Sequence, residues 1–152
     1  MAGLWFEEFE EGMVFDHEWT RTITETDNRW FSLLTMNTQP VHIDAHAAAE
    51  SVWKRPLVNS LLTLGLMVGM SVNQTTFRTT IANLGMEKVK FPHPLFEGDT
   101  VHIRTTVVSK RKSATRPGEG IVTLRHEAFN QDNVLCGTCE RAALMMLKPE
   151  TA

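Results

Sequence analysis

The apolar and polar positions divide the chain into helical segments in its first half and extended segments in its second. Residues 13–23 are predicted to form a strand, directly after a Glu-Gly turn. Residues 100–109, 120–130 and 134–147 are rich in valine, isoleucine, threonine and leucine, and Pro-Gly and Asn/Asp turns separate them. We therefore expect one early strand and a late run of consecutive strands.

A helix is predicted directly after the first strand. Thr24 and Asp27 have the spacing of a capping box, with Thr24 as the N-cap and Asp27 reaching back to it. Apolar residues then recur at helical spacing, which predicts a single buried stripe. Its members are Trp30, Phe31, Leu33 and Leu34.

A polar loop follows at residues 35–44, and Pro40 interrupts it. Asp44 is suited to cap a second, alanine-rich helix at residues 45–52, because a carboxylate accepts hydrogen bonds from free N–H groups at a helix start. We interpret Asp44 as such a cap rather than as a catalytic carboxylate.

A third helix, within residues 59–73, is apolar on nearly every face, which predicts that other structure wraps it. Ser60 is the expected N-cap. Gly65 and Gly69 fall on one face, where a neighbouring backbone could approach closely. One apolar helix followed by long strands indicates an antiparallel sheet curled around that helix, the α+β arrangement of the hot-dog fold. The 152 residues are expected to form one such domain, 1–152.

The charge distribution argues against a nucleic-acid partner. The net charge is -3, and phosphate backbones require clustered lysine and arginine. The one basic cluster is Lys110, Arg111 and Lys112. We favour a solvated loop between two strands for it, and the alternative is a contact to the phosphates of a nucleotide-like cofactor tail.

The two cysteines, Cys136 and Cys139, have the spacing of half a zinc knuckle, but the chain has no second pair to complete a four-ligand site. We expect no metal and two reduced, buried thiols in a cytoplasmic protein. The N-terminus lacks the features of a secretory signal, and the apolar residues 61–72 are too few to cross a bilayer, so no membrane association is expected.

The unusual residues concentrate in two short segments. The first contains Asn37, Gln39 and His42 around Pro40, and the second leads into the apolar helix at Ser60. A proton-transfer group beside a helix end with free N–H groups is what chemistry next to a thioester carbonyl requires. Spacing alone leaves a catalytic and an incidental histidine equally open.

These segments resemble the MaoC-like dehydratases, also called R-specific enoyl-CoA hydratases, over almost the whole chain. That family has Asp-x-Asn-Pro-x-His-x-Asp, then Arg-Pro-x-Val-His-Gly before the central helix, then Phe-x-x-Pro-Val-x-x-Gly-Asp. The matching residues, in the same order, are Pro40, His42, Asp44, Arg55, Pro56, Val58, Phe91, Pro94, Gly98 and Asp99.

The departures from this pattern resemble the mesaconyl-CoA and itaconyl-CoA hydratase branch. Asn37 stands at the family's catalytic aspartate, Gln39 at its asparagine, and Asn59-Ser60 at its His-Gly. The resemblance implies hydration of short, branched or dicarboxylic enoyl thioesters, with His42 and Asn37 as catalytic residues. It further implies substrate contacts from Ser60, Asn59, Gln39 and Arg55.

The resemblance also implies no cofactor, because coenzyme A is part of the substrate, and a homodimer or a dimer of dimers. A cation is expected near a substrate carboxylate, with Arg29, Arg55, Arg78, Lys90 and His93 as candidates. Two alternatives stay open. One is a hot-dog thioesterase, which the lack of Asp or Glu from Ser60 to Asn73 disfavours. The other is a non-catalytic acyl-CoA-binding module, which the missing aspartate favours.

Overall fold

The computed structural model describes residues 3–149, and to the predicted elements it adds a helical turn at residues 40–43 and a strand at residues 80–90. A short 3-10 helix at Phe6–Glu8 precedes the first strand. The remaining elements are β1 Val14–Thr22, α1 Glu25–Leu34, α2 Pro40–Ile43, α3 Ala45–Glu50, α4 Ser60–Thr75, β2 Thr80–Lys90, β3 Thr100–Lys112, β4 Glu119–Phe129 and β5 Leu135–Met146.

The five strands form one antiparallel sheet in the order β1-β3-β4-β5-β2. Buried and half-buried residues alternate along β4, as expected for a strand with one face on the core. The predicted strands and their antiparallel arrangement around an apolar helix are confirmed, with ends that differ by at most three residues. β1 and β2 are the two edges.

One stripe of α4 packs into the concave side of the sheet. Thr63, Met67, Ser71 and Thr75 are its buried residues, and they recur every four positions. Met67 forms a cluster with residues of three different strands, Ile103, Ala128 and Cys139. Because this stripe faces the sheet, the N-terminal end of α4 is held in a fixed place near the start of β5.

The opposite face of α4 is open, so the prediction that other structure wraps this helix on all sides is wrong for the described residues. Leu61 is 54% exposed, and Gly65 and Gly69 are also exposed. The two glycines do share a face, but apart from the neighbouring residues of the helix itself, no atom of residues 3–149 lies within 4 Å of where a Cβ would stand on either. They border a groove of about 310 Å³ against β1.

Helix α1 begins as predicted but buries the other face. The Thr24–Asp27 capping box is present. The predicted apolar stripe is nevertheless on the surface, with Trp30 74% and Leu34 82% exposed, whereas Asn28 and Ser32 are fully buried. The prediction of a buried apolar stripe was wrong because hydrogen bonds to the neighbouring segments, described below, orient the polar stripe inward.

Two other predictions are resolved by the fold. The basic cluster lies at the end of strand β3 rather than in a loop, and the Lys110 ammonium donates to the carbonyl of Phe9 at 2.6 Å. A contact of this cluster with cofactor phosphates stays a prediction.

Both cysteines are free and buried, and burial raises the pKa of each thiol. None of the helices within residues 3–149 combines the length and the apolar character needed to span a bilayer.

Candidate functional site

The N-terminus of α4 is capped by Asn59, not by Ser60 as the sequence suggested. The Asn59 side-chain oxygen accepts the backbone N–H of Leu61 at 3.0 Å. An asparagine is as good a cap as a serine, and it precedes Ser60, so Ser60 becomes the first residue of the helix. The Ser60 backbone N–H has no hydrogen-bond acceptor within residues 3–149. It remains available, at the positive end of the helix dipole.

The segment predicted as a loop contains one helical turn, α2, which presents His42. Pro40 occupies the first helical position, where its missing N–H costs nothing. The carbonyl of Gln39 accepts the His42 N–H at 3.0 Å, and the Asn37 side-chain oxygen accepts the Gln39 N–H at 3.2 Å. Asp44 then caps α3 as predicted, accepting from two backbone N–H groups.

The imidazole of His42 is held in one orientation. Its Nδ1 lies 2.7 Å from the carbonyl oxygen of Leu57. Because a carbonyl can only accept, Nδ1 must carry a hydrogen. In the neutral ring Nε2 is then the unprotonated nitrogen, free to accept a proton from another molecule.

Asn28 links the His42 segment to the start of α4, and sequence reasoning missed it. Its side-chain nitrogen lies 3.1 Å from the carbonyls of His42 and Leu57, and its side-chain oxygen accepts the Asn59 N–H at 2.9 Å. The Asn59 side-chain nitrogen donates in turn to the hydroxyl of Ser32 at 3.1 Å. Buried polar groups without such partners would be costly, so this network explains why α1 turns its polar face inward.

An apolar pocket of about 220 Å³ opens at this helix end. Leu57 and Ser60, which bracket the cap residue, both line it. The other lining residues are Trp53, Val58, Thr63, Phe91, Pro92, His93, Pro94, Leu95 and Cys136. A largely apolar pocket with a few polar groups at one end is typical of a small-molecule site. The larger groove beside Gly65 and Gly69 lacks contact with this helix end, so we consider the smaller pocket the better candidate.

The remaining predicted site residues have varied surroundings. The Arg55 guanidinium stacks 3.8 Å from the centre of the Phe96 ring, and the side chain of Gln39 is exposed. Asn59 is buried, and both of its amide atoms are used within the protein. Substrate contacts by Arg55, Gln39 and Asn59, and the catalytic role of Asn37, stay predictions.

Of the five candidate cations for a substrate carboxylate, His93 is the one that lines the pocket. Arg29 forms an ion pair with Glu25 on the surface of α1. Arg78 lies over Phe77, just after the far end of α4. His93 follows strand β2 within the Phe-Pro-His-Pro segment, and nothing in the sequence alone singled it out from the others.

A signal for the Asn28 network was present in the sequence but ambiguous. Asn28 and Ser32 are four residues apart and therefore share a helix face, as the apolar residues of α1 do. Periodicity identifies both faces but not which is buried. Which face of α1 is buried depends on hydrogen bonds to Asn59 and Leu57, which are distant in sequence.

Comparison with known proteins identifies the family. The MaoC-like domain model matches residues 7–129. The chain belongs to the MaoC-like domain family. It is 31% identical over 110 residues to the (R)-specific enoyl-CoA hydratase of Aeromonas caviae, covering 72% of this chain and 77% of that one. It is 27% identical over 130 residues to the mesaconyl-CoA hydratase of Haloarcula marismortui, covering 86% of this chain.

A solved structure supports the fold and bears on chain length. RV0216 from Mycobacterium tuberculosis, described as a double hotdog fold, superposes with a TM-score of 0.87 at 24% identity, over 99% of this chain and 46% of that one. The hot-dog fold is thereby confirmed. This MaoC-like chain spans only 36% of the length of the Haloarcula mesaconyl-CoA hydratase.

Proposed function

We propose that this MaoC-like protein is an enoyl-CoA hydratase, which adds water to the double bond of an enoyl thioester or removes it in reverse. The observation that carries the proposal is that the Leu57 carbonyl fixes the tautomer of His42, while Leu57 and Ser60 line the same pocket. Leu57 accepts from the imidazole through its carbonyl and also lines the apolar pocket that Ser60 opens into. The names of the relatives and the family support the same reaction class.

In the proposed mechanism, the thioester carbonyl accepts a hydrogen bond from the Ser60 N–H. This contact and the dipole of α4 stabilise the enolate-like charge that develops when water attacks. Nε2 of His42 takes a proton from the water as its oxygen bonds to the β-carbon. The imidazolium then returns a proton to the α-carbon, so the net addition is one water molecule.

Asn37 is proposed to orient the attacking water. An amide does not titrate in this pH range, so it cannot replace the aspartate found in the wider family as a base. Its side-chain oxygen already accepts the Gln39 N–H, which leaves the NH₂ group to donate to a water oxygen. His42 is therefore the group that exchanges protons in the proposed mechanism.

For the substrate, we propose a short enoyl-CoA with a carboxylate at the far end of its acyl group, of the mesaconyl-CoA or itaconyl-CoA type. His93 supports this because it is the titratable cation-forming group on the pocket lining. The pocket is small, which favours a short acyl chain. The mesaconyl-CoA hydratase among the relatives is named for such a substrate.

The decisive test is to incubate the protein separately with crotonyl-CoA and mesaconyl-CoA. Loss of enoyl-thioester absorbance and release of free thiol are followed together. A hydratase removes the absorbance without releasing thiol. Thiol release would instead support the thioesterase alternative, for which α4 offers no carboxylate. Binding without either change would support a non-catalytic acyl-CoA module and contradict the proposal.

We also propose that two copies pair as a homodimer. Among the strands of residues 3–149, β2 pairs with β5 alone, and its exposed side chains include Ile81, Leu84 and Val89. Unpaired strand edges favour association with another chain. RV0216 carries two hot-dog units in one chain, where this sequence has one. Light scattering should give twice the mass of one chain, and a monomer over a wide concentration range would contradict pairing.

A further inference from the structure

We infer that Asn28 is a positioning residue for His42, which sets the direction of the imidazole through the carbonyl of Leu57. This inference rests on the proposed hydratase function, because it assigns a purpose to the orientation of His42. Asn28 lies on the first turn of α1 and is fully buried. It is therefore unable to contact substrate and can act only through its neighbours.

The side-chain N–H groups of Asn28 contact the Leu57 carbonyl, which in turn accepts the hydrogen bond from His42. Its Nδ2 lies 3.1 Å from three acceptors, namely the carbonyls of His42 and Leu57 and the Oε1 atom of Glu97. An amide nitrogen carries two hydrogens, so these acceptors share them. The Leu57 carbonyl is thus fixed from one side by Asn28 while it accepts the Nδ1–H of His42 from another.

The side-chain oxygen of Asn28 fixes the start of α4 by a hydrogen bond from the helix cap. Its Oδ1 accepts the backbone N–H of Asn59, the residue that caps the helix and precedes Ser60. One side chain therefore fixes the two groups proposed for the reaction, the imidazole of His42 and the N–H of Ser60, relative to each other. Proton transfer and oxyanion stabilisation both depend steeply on such geometry.

The consequence for His42 is chemical as well as geometric. While the Leu57 carbonyl is fixed, the neutral ring keeps its hydrogen on Nδ1 and presents Nε2 as the base. If Asn28 is removed, that carbonyl loses a donor and gains freedom to turn away. The ring can then take up the other tautomer, with Nε2 protonated and unable to accept a proton.

The test combines imidazole nitrogen NMR of His42 with kinetics on crotonyl-CoA, in Asn28→Ala and Asn28→Asp. Asn28→Asp has nearly the same shape and keeps the acceptor for Asn59, but it lacks both N–H donors, so it tests the idea if Asn28→Ala does not fold. Ser32→Ala is the matched control, since Ser32 is buried one turn along the same helix and bonds to Asn59 but not to His42 or Leu57.

Wild type and Ser32→Ala should hold neutral His42 as the Nδ1–H tautomer. Both Asn28 variants should show mixed tautomers, with kcat for crotonyl-CoA lower by about ten- to a hundredfold and KM little changed. Folded Asn28 variants that keep the wild-type tautomer and a kcat within about twofold of wild type would overturn the inference. A wild type that is inactive on both crotonyl-CoA and mesaconyl-CoA but keeps the Nδ1–H tautomer would reject the hydratase proposal instead, and the two failures are thereby distinguished.

Discussion

At the scale of single residues, the proposed site has an asparagine where the family pattern has an aspartate. Asn37 stands at the catalytic aspartate position, and its oxygen accepts a backbone N–H in the His42 segment. An aspartate at this position could make the same hydrogen bond. The exchange therefore changes charge more than shape, which makes it an informative variant.

Asn37→Asp should separate substrates by charge. The new carboxylate should retain or raise turnover of crotonyl-CoA, because it adds a second group able to exchange protons. It should lower turnover of mesaconyl-CoA, because two like charges close together repel each other. The measurement is kcat/KM for each thioester. Equal changes for both substrates would contradict the substrate-carboxylate idea, although the hydratase proposal could survive it.

His93 offers a second residue-scale prediction. If its imidazolium attracts the distal carboxylate, His93→Gln should raise KM for mesaconyl-CoA and leave crotonyl-CoA kinetics nearly unchanged. His46→Gln is a suitable control, since that histidine is exposed on α3. A loss shared by both substrates would mean that His93 shapes the pocket rather than recognising charge.

At the scale of elements, the sequence predicted helix and strand types well because periodicity and caps are local. Both side-chain caps predicted from Thr24 and Asp44 are present. The cap of α4 was assigned one residue too late because Asn59 and Ser60 are both good caps, and local rules cannot rank them. The buried face of α1 was also wrong, since Asn28 and Ser32 find their partners only in the folded chain.

The corrected cap makes a stability prediction. Asn59→Ala removes the acceptor for Leu61 and the donor to Ser32, so the free energy of unfolding should fall by about 2 kcal/mol, from one cap and one buried hydrogen bond. Ser60→Ala should change it by less than about 0.5 kcal/mol, because the exposed Ser60 does not cap the helix. Urea unfolding of the two variants gives the comparison, and equal losses would contradict the assignment of the cap.

At the scale of the whole molecule, the core contains a titratable group that the proposed reaction does not use. His126 on β4 is fully buried, and its Nδ1 lies 2.9 Å from the hydroxyl of Thr105 on β3. Burial first, and then the charge of Arg141 on β5, lower the pKa of His126 from 6.5 to about 3. The folded protein therefore keeps this imidazole neutral at pH values where the unfolded chain protonates it.

This pKa shift predicts acid sensitivity. Stability from the neutral His126 is fully present above pH 6.5 and is lost as the pH falls toward about 3. The loss should approach about 1.4 kcal/mol per pH unit, because the unfolded chain binds one more proton. In urea unfolding at several pH values, His126→Gln should show a shallower acid decline. Part of the decline should remain in this variant, because burial also lowers the pKa of His17. An unchanged slope would contradict the assignment.

The fold as a whole was predictable because an apolar helix followed by long strands has few stable arrangements. The site was predictable only in part. His42 and the helix start were found as motifs. The Asn28 network depends on contacts between α1, α2 and the start of α4, and the pocket is formed by α4 together with the segments before it and after β2, so no local pattern specifies either. The proposed pairing of two copies belongs to this scale as well, since it depends on the whole β2 edge.

The central claim is that His42 adds water across the double bond of an enoyl-CoA, and ¹⁸O-labelled water tests it most directly. The wild type should convert crotonyl-CoA to a hydroxyacyl-CoA that carries one ¹⁸O on the β-carbon and keeps its thioester bond. His42→Ala should form the same product about a hundredfold to ten-thousandfold more slowly. Label in a free carboxylic acid with released coenzyme A, or full activity in a correctly folded His42→Ala, would contradict the account.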